Sequence, residues 1–586
     1  MSDQPGPSRP KRKKMEPVYK ITDSDIEEQL LGNDSDDDFQ LEDMTSDDDE
    51  EEIERQNIMQ MAAMDLQLAS QRTRRRSPSL EAIQQPERLA LPEEGATSSW
   101  TTTCELKKID FTKQNEFFGA PDPTPIAFFN FFFEDDFLAM ICEKTNAQAR
   151  KLFLFGVSES SRITNWKDVD VPELKIFLGL LFHMGSFQLP RLQDYWKKSR
   201  LFSIPIFGQQ MSRNRYFLIM RCLHFSSETE IVNDDPLYKI RSVVDYFNQK
   251  MNTCYYPGKE LSLDESMVLW RGRLRFKQYV KNKRHKYGIK LYMLTEPDGL
   301  ILKFRVYAGS QDHDVAGKGH AEKVVMQLME EKLHNGHSLY MDNYYNSFHL
   351  AKRLLHNKTY CSGTLRKDLK ENPKDVVQKT LKKGDNISRF RECVHIGKWK
   401  DKRPVMYVTT EYDDIRIPVA NKRGQINEKP ATIAKYNEFM SGVDRQDQLL
   451  AFYPCERKTL RWYLKLAIHT FQLLFINSYK MYNKYSGKPK MTLYDYRLAV
   501  INELLPEKNT AVSVPTGPSR AKTSREVPHK ISKITERNSK GNIKRKMCRM
   551  CSKSQKKRRD SMWHCETCID KPGLCFECFD EFHLSI

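Results

Sequence analysis

Hydrophobic positions are sparse over the first hundred residues, and from about Phe111 they come in two rhythms. Between 113 and 259 they recur at helical spacing. Leu174-Lys-Ile-Phe-Leu-Gly-Leu-Leu-Phe182 follows a Val171-Pro172 start, and further helical patterns cover Asn214 to His224 and Val243 to Met251. The aromatic run Ala127-Phe-Phe-Asn-Phe-Phe-Phe133 reads as packing within this helical region. At Glu260 the period changes to two. In Glu260-Leu-Ser-Leu-Asp264-Glu265, Leu261 and Leu263 alternate with polar neighbours, which predicts a half-buried strand with Asp264 at its end. Tyr287 to Thr295 and Leu300 to Tyr307 are joined by Glu296-Pro-Asp-Gly299, a turn sequence, and predict a hairpin. A helical stretch with Val324, Val325, Leu328, Met329 and Leu333 then runs to a stop at Gly336, ahead of the short apolar strand Ser338 to Asp342.

Three strands, a helix and a fourth strand, with carboxylates closing the first and fourth, give the element order of an α/β core of the RNase H-like kind. After Arg366 the rhythm is broken by a Lys-rich stretch, Lys367 to Lys383, and by strand-like runs such as Val405 to Thr410, so 369–430 reads as an insertion. Helical patterning returns at Ala431 to Met440. Asp444 and Asp447 follow, three apart and therefore on one helix face, and then a strongly helical stretch from Arg461 to Tyr485. Residues 506–547 form a Pro/Ser/Lys linker, and Lys508 to Arg559 holds 17 Lys and Arg against two Glu.

Composition changes this picture in three ways. The 586 residues, 39% of them hydrophobic, suffice for several domains with ample core. The net charge of +17 hides a segregation: 17 acids and no Lys or Arg lie between Asp23 and Glu54, so the remainder carries +34 and favours a polyanion partner, nucleic acid first. No apolar run approaches the roughly 18 to 20 residues that span a bilayer, and the first residues are polar and basic, so no membrane association and an intracellular site are expected. Residues 1–112 read as disordered. Pro10-Lys-Arg-Lys-Lys14 is a candidate nuclear localisation signal, and Ser35 and Ser46, each followed by three aspartates, suit acidophilic kinases.

Two sets of residues carry candidate chemistry. Cleaving and rejoining phosphodiesters requires an activated oxygen nucleophile and a stabilised leaving oxygen, which two divalent ions about 3.5 to 4 Å apart supply. Carboxylates suit Mg²⁺ or Mn²⁺. Asp264 between two ions, Asp342 on one and Asp444 on the other would complete such a site, with Asp447 adding a ligand or orienting a metal-bound water. The second set is the tail. Seven cysteines are scattered through the body, while six crowd the last 39 residues as Cys548-x2-Cys551-x13-Cys565-x2-Cys568-x6-Cys575-x2-Cys578, closed by His583. That spacing fits tetrahedral zinc thiolate sites in a reducing compartment rather than a disulfide scaffold.

Asp264-Glu-Ser-Met, Gly272 with the basic run to Lys283-Arg-His-Lys-Tyr-Gly-Ile-Lys-Leu-Tyr292, Asp342-Asn-Tyr-Tyr-Asn-Ser347, Gly363-Thr-Leu-Arg366 and Tyr436-Asn-x-x-Met-x-Gly-Val-Asp444-x-x-Asp447 together resemble piggyBac-type DNA transposases. So do Asn146-Ala-Gln-Ala, Arg221-Cys-Leu-His-Phe225 and Arg457-Lys-Thr-Leu-Arg-Trp462, and the likeness runs in order from 113 to 586. The resemblance implies catalytic aspartates at Asp264, Asp342 and Asp444, with the family's further helix acid at Asp447. It implies a nuclear cut-and-paste transposase using two Mg²⁺ or Mn²⁺ ions. Such an enzyme nicks double-stranded transposon ends, passes through DNA hairpins, inserts at TTAA and works as a homodimer. It also implies a catalytic core split into 260–368 and 431–453 around the insertion, and a dimerisation and DNA-binding domain split into 113–259 and 454–505. Arg366 would lie beside target DNA and Trp462 near the transposon end; a surface ion pair and a core tryptophan are the plainer readings. In residues 548–586 it implies a cross-brace in which the first and third cysteine pairs, Cys548, Cys551, Cys575 and Cys578, share one zinc. Cys565, Cys568 and His583 would hold a second, whose last position falls to His564, the terminal carboxylate or water, because Ile586 stands where a ligand is due. A host-adopted DNA-binding derivative without cleavage, and a zinc-tail interaction factor, are the alternatives from other classes.

Overall fold

The computed structural model describes residues 99–586, apart from 155–160, 227–234, 282, 284, 310–311, 313, 421–423, 508–529, 540, 555–557, 569 and 585–586. The acidic block, the basic run at 10–14, Ser35 and Ser46 lie outside the described residues.

A short strand β1 (Glu116–Phe117) leads into helices α1 (Pro125–Phe132), α2 (Asp135–Leu154), α3 (Val171–Ser186), α4 (Pro205–Gln210), α5 (Arg213–Cys222) and α6 (Arg241–Cys254). Local chemistry sets their starts. Thr124 and Asp170 accept hydrogen bonds from the backbone N–H groups of Ala127 and Glu173, and Pro125 and Pro172 stand in first turns where no N–H is needed. After α6, β2 (Tyr255–Tyr256) pairs with β1.

The sheet follows: β3 (Glu260–Leu269), β4 (Gln278–Tyr279), β5 (Tyr287–Thr295), β6 (Ile301–Val306), helix α7 (His320–Met329), β7 (Ser338–Met341), helix α8 (Phe348–His356) and β8 (Tyr360–Thr364). Strand β5 runs antiparallel to β3 and to β6, whereas β7 runs parallel to β3 and β8 parallel to β7. The spatial order is therefore β6-β5-β3-β7-β8, the RNase H-like arrangement. The hairpin turn closes with Gly299 N–H donating to Glu296 O at 2.9 Å, and Gly299 takes φ +92°, a conformation glycine adopts freely.

After the short helix α9 (Lys374–Gln378), strands β9 (Asn386–Arg391), β10 (Val394–Lys400) and β11 (Pro404–Thr409) extend this same sheet beyond β8 in the order β11-β10-β9. Much of segment 369–430 is thus an enlargement of the core sheet, and its β12 (Arg416–Ala420) and β13 (Ile426–Pro430) form a separate ribbon. Pairing with β8 through Tyr407↔Thr364 decides this, because a free edge strand offers unpaired backbone groups to the next strand.

Helices α10 (Ala431–Phe439), α11 (Gly442–Phe452), α12 (Trp462–Tyr485) and α13 (Leu493–Leu504) complete the body. The long, largely buried α12 packs back onto α1, with Phe129 and Phe475 rings 5.8 Å apart and Phe128 edge-on to Tyr482 at 5.6 Å. The aromatic surplus of 127–133 is spent in that core: Phe128, Phe129, Phe132 and Phe133 are all buried.

The C-terminal module contains β14 (Ile531–Lys533), β15 (Lys546–Met547), α14 (Arg549–Ser554), β16 (Asp560–Ser561), β17 (Trp563–Cys565) and α15 (Phe579–Leu584). It rests on α2 through Phe153, whose ring lies 4.9 Å from Trp563 and 4.1 Å from Phe576. Among the described residues no helix is long and apolar enough to cross a membrane.

Two features differ from the sequence reading. Strand β3 does not stop at Asp264 but runs on to Leu269, because Met267 and Val268 are also buried and pair with Lys290 and Ile289 of β5. Residues 99–112, read as disordered, are docked: Thr101 pairs with Phe390, and Ile109 N–H donates to the Tyr360 hydroxyl at 2.6 Å.

Candidate active site and zinc module

The position of Asp342 follows from strand register. Leu263 of β3 pairs in parallel with Met341 of β7, so the next residues, Asp264 and Asp342, stand side by side on neighbouring strands. Strands in a sheet lie about 4.8 Å apart. Along β3, Asp264 and Ser266 point to the same face, and the Ser266 hydroxyl donates to Asp447 Oδ1 at 2.6 Å. That bond brings α11 over the same face, with Asp444 one turn nearer its N-terminus.

Glycine sets how closely α11 can approach. A Cβ on Gly442 would stand 2.2 Å from Thr295 Oγ1, 2.4 Å from Ser262 Oγ and 2.5 Å from Glu296 O. The Arg445 guanidinium, donating to Pro297 O at 2.8 Å, holds the same turn from the other side. Gly442→Ala is therefore expected to lift the first turn of α11 off the sheet and to cost about 2 kcal/mol, as overpacking does. Denaturant unfolding checks the cost. Unchanged stability would mean that the helix start is not pinned.

The loop after β7 is fixed as firmly. Asn346 donates to Met341 O and Thr364 O, both at 2.9 Å, and so ties the ends of β7 and β8 together around Asp342. Gly363 leaves room for this, since a Cβ there would lie 1.8 Å from Met341 O. Asp342 itself accepts from Tyr344 N–H at 2.8 Å.

The electrostatics show how crowded the acids are. Burial pushes the Asp264 carboxyl up to about 7, with Glu265 and Asp342 adding to the shift and Lys283, 3.9 Å from its Oδ2, opposing it. Burial likewise raises Asp342 and Asp447, the latter against the hydrogen bond from Ser266. Lys283 is raised because the negative charge of Asp264, Glu265, Asp447 and Asp444 outweighs its own burial. Burial also drives the Tyr436 phenol up to about 12, helped by Asp342, Asp264 and Asp444. Lys283 thus faces all four aspartates, and Tyr436 faces Asp342, Asp264 and Asp444. Below them, Glu265 accepts from the Tyr345 hydroxyl at 3.1 Å and faces Lys290 at 3.9 Å.

Lys283, Ser266, Asn346 and Gly442 all lie within the sequence motifs, which by themselves give them no role. Hydroxyl, amide and glycine positions carry no pattern of their own, and their tasks appear only once β3, β7 and α11 are juxtaposed. Arg366 is exposed just beyond β8. Trp462 opens α12 half-buried, edge-on to Phe276 at 5.2 Å.

The fit to metal ions differs between the two regions. Among the described residues, sets of three or more metal-binding atoms within 4.8 Å of one another occur only in the C-terminal module. The aspartates are more widely spread, as a donor set shared by two ions is, and their all-oxygen chemistry suits hard divalent cations. In the module, Cys548, Cys551, Cys575 and Cys578 form one buried set, with Cys551 Sγ 3.6 Å from Cys575 Sγ and 3.5 Å from Cys578 Sγ. Cys565, Cys568 and His583 form the other. These interleaved pairs make the cross-brace topology, and the four thiolates suit zinc. Burial would raise the Cys548 thiol, but backbone N–H groups of Cys551 and Cys575 win and bring it down to about 7. His564 is not a member of the second set; it pairs through its backbone with Ser532 on β14.

A family model described as Transposase IS4 matches residues 124–479, and one described as DDE_Tnp_1-like zinc finger matches 524–584. The chain is 25% identical over 451 residues to PiggyBac transposable element-derived protein 3 of Homo sapiens, with 72% of each chain covered. To PiggyBac transposable element-derived protein 2 of Homo sapiens it is 23% identical over 379 residues, with 61% of each covered. It is similar in fold to a solved structure titled "Cryo-EM structure of piggyBac transposase synaptic complex with hairpin DNA (SNHP)". The TM-score is 0.59 at 22% identity, covering 80% of this chain and 100% of that one.

Proposed function

The chain belongs to the piggyBac-type transposases of the Transposase IS4 family, and on that premise we propose that it is a metal-dependent DNA nuclease and strand transferase that excises a transposon and joins it to TTAA targets. The observation that carries this reading is the gathering of Asp264, Asp342, Asp444 and Asp447 around Lys283 on one face of the sheet. Asp264, Asp342 and Asp444 would hold two Mg²⁺ or Mn²⁺ ions, which when bound activate an oxygen nucleophile and stabilise the leaving oxygen.

The chain's own residues do the positioning. Ser266 aims Asp447, Asn346 locks the loop bearing Asp342, and Gly442 lets α11 sit close enough for Asp444 to face the strands. Lys283, whose ammonium lies 3.9 Å from Asp264 Oδ2, offers that charge to the DNA phosphate. Arg366, exposed next to the Asp342 loop, meets target DNA, and Trp462 meets the transposon end. In the reaction proposed, water nicks each end, the freed 3′ hydroxyl attacks the opposite strand to give a hairpin, and the reopened end joins target DNA. Two ends require paired active sites, hence a homodimer. The basic surplus neutralises DNA phosphates, the zinc module contributes to end binding, and the run at 10–14 directs the protein to the nucleus.

The test is incubation of the zinc-loaded protein and Mg²⁺ with DNA carrying the matched transposon ends. Nicks and hairpins are expected. Binding without cleavage in either Mg²⁺ or Mn²⁺ would replace this reading by that of an adopted DNA-binding protein.

A further inference from the structure

Residues 99–117 run as a strap across one margin of the sheet, and its first part is anchored on the edge strand β9. Thr101 and Phe390 exchange both backbone hydrogen bonds at 2.9 Å. Trp100 packs edge-on to Phe348 at 5.6 Å, and the Arg391 guanidinium lies over both rings, at 4.8 and 3.8 Å. Three residues beyond Thr101, Cys104 reaches the β9–β10 turn and meets Cys393, with the sulfurs 3.7 Å apart. The turn is a tight one in which both Glu392 and Cys393 adopt positive φ, 51° and 59°, so Cys393 is held by the hairpin on one side as Cys104 is by the strap on the other. Both thiols are half-buried, whereas Cys142, Cys222, Cys254, Cys361 and Cys455 are buried.

We propose that Cys104 and Cys393 are a thiol–disulfide pair that staples the strap to the enlarged sheet under oxidising conditions. The oxidant is a low-molecular-weight disulfide such as oxidised glutathione. One cysteine thiolate attacks a glutathione sulfur and expels glutathione thiolate. The second cysteine thiolate then attacks the protein sulfur of that mixed disulfide and expels the other glutathione. The two protons lost by the cysteines leave on the two glutathione thiols, and the two electrons have reduced one disulfide while the protein gained one. The sulfurs need to close from 3.7 Å to about 2.05 Å.

The bond would fix the first described residues, 99–104, to the body. Beyond it the strap crosses the start of β8 at Tyr360 and the residue before β7's approach, Gly336, whose Cβ would clash with Asp110 O at 2.2 Å. Trp100, four residues before Cys104, packs on Phe348, the first residue of α8 and six beyond Asp342.

The experiment exposes the zinc-loaded full chain to oxidised glutathione, blocks free thiols and maps peptides without reduction. A peptide linking Cys104 to Cys393 is expected, at least tenfold more abundant than either residue carrying glutathione. Reductant should restore both thiols. Cys393→Ser should leave Cys104 glutathionylated and without an intramolecular link. Persistence of both thiols in the parent, separate glutathionylation of the two, or cross-links between chains would overturn the proposal.

Discussion

Asp264→Asn is expected to lower Mg²⁺-dependent DNA cleavage about a thousandfold or more, and at the same time to stabilise the protein in magnesium-free buffer. A thousandfold corresponds to about 4 kcal/mol of transition-state stabilisation, a reasonable loss when a carboxylate shared between two ions becomes a neutral amide. The gain in stability comes from the same feature. Burial and the neighbouring Glu265 and Asp342 push the Asp264 carboxyl up to about 7, whereas in the unfolded chain it ionises near 4, a value of about 3.9 being usual. Between those values the folded state binds the extra proton, so stability falls as pH rises through the window, and the full penalty stands above about pH 7. Asparagine carries no such penalty at any pH and keeps an oxygen for the Glu265 N–H, now 2.8 Å from Asp264 Oδ1. The variant should therefore melt a few degrees above the parent near pH 8 and close to it near pH 4.5. A variant that cuts normally would remove Asp264 from the chemistry. One that is destabilised at pH 8 would show that Lys283 already compensates the charge.

Cys551→Ser is expected to remove at least one zinc ion per chain and to unfold the C-terminal module while leaving the body folded. Cys551 lies within 3.6 Å of two other sulfurs of its set, and the module's small core is built from the ligands themselves together with Leu574 and Phe582. Structural zinc in such a module supplies on the order of 10 kcal/mol, far more than this core offers without it. Zinc released on denaturation, counted with a chromogenic chelator, should fall by at least one. Protease should cut within 530–584 in the variant and not in the parent. The body has a separate core centred on α1, α3, α12 and the sheet, so its thermal transition should remain. Cys568→Ser should remove the other ion only. An unchanged zinc content in Cys551→Ser would exclude Cys551 as a ligand.

Much of the core was legible because it rests on local pattern. Alternation at Leu261 and Leu263, the Glu296–Gly299 turn and the apolar stretch before Asp342 each announce their element, and their order already implies the sheet. Strand ends were less legible. Met267 and Val268 are apolar in succession, which alternation alone cannot assign, and only pairing with β5 shows that β3 continues and leaves Asp264 in mid-strand. The docking of residues 99–112 was not visible at all, since Thr101 and Ile109 are held by backbone and hydroxyl partners about 250 to 290 residues away.

What the sequence determined by itself is therefore the inventory: the acids, the cysteine pairs, the change of period at Glu260 and the charge segregation, all properties of residue type and spacing. The tertiary structure decided which of these meet. The parallel register of β3 and β7 sets Asp264 beside Asp342, the bond between Ser266 and Asp447 brings a helix from nearly two hundred residues away onto the same face, and the β8–β11 pairing makes the insertion part of the core sheet. The reason is physical. Spacing along a chain governs contacts within a helix or strand, whereas contacts between elements depend on backbone pairing and on how closely two surfaces can pack, and a glycine such as Gly442 reveals that requirement only when its neighbours are in place.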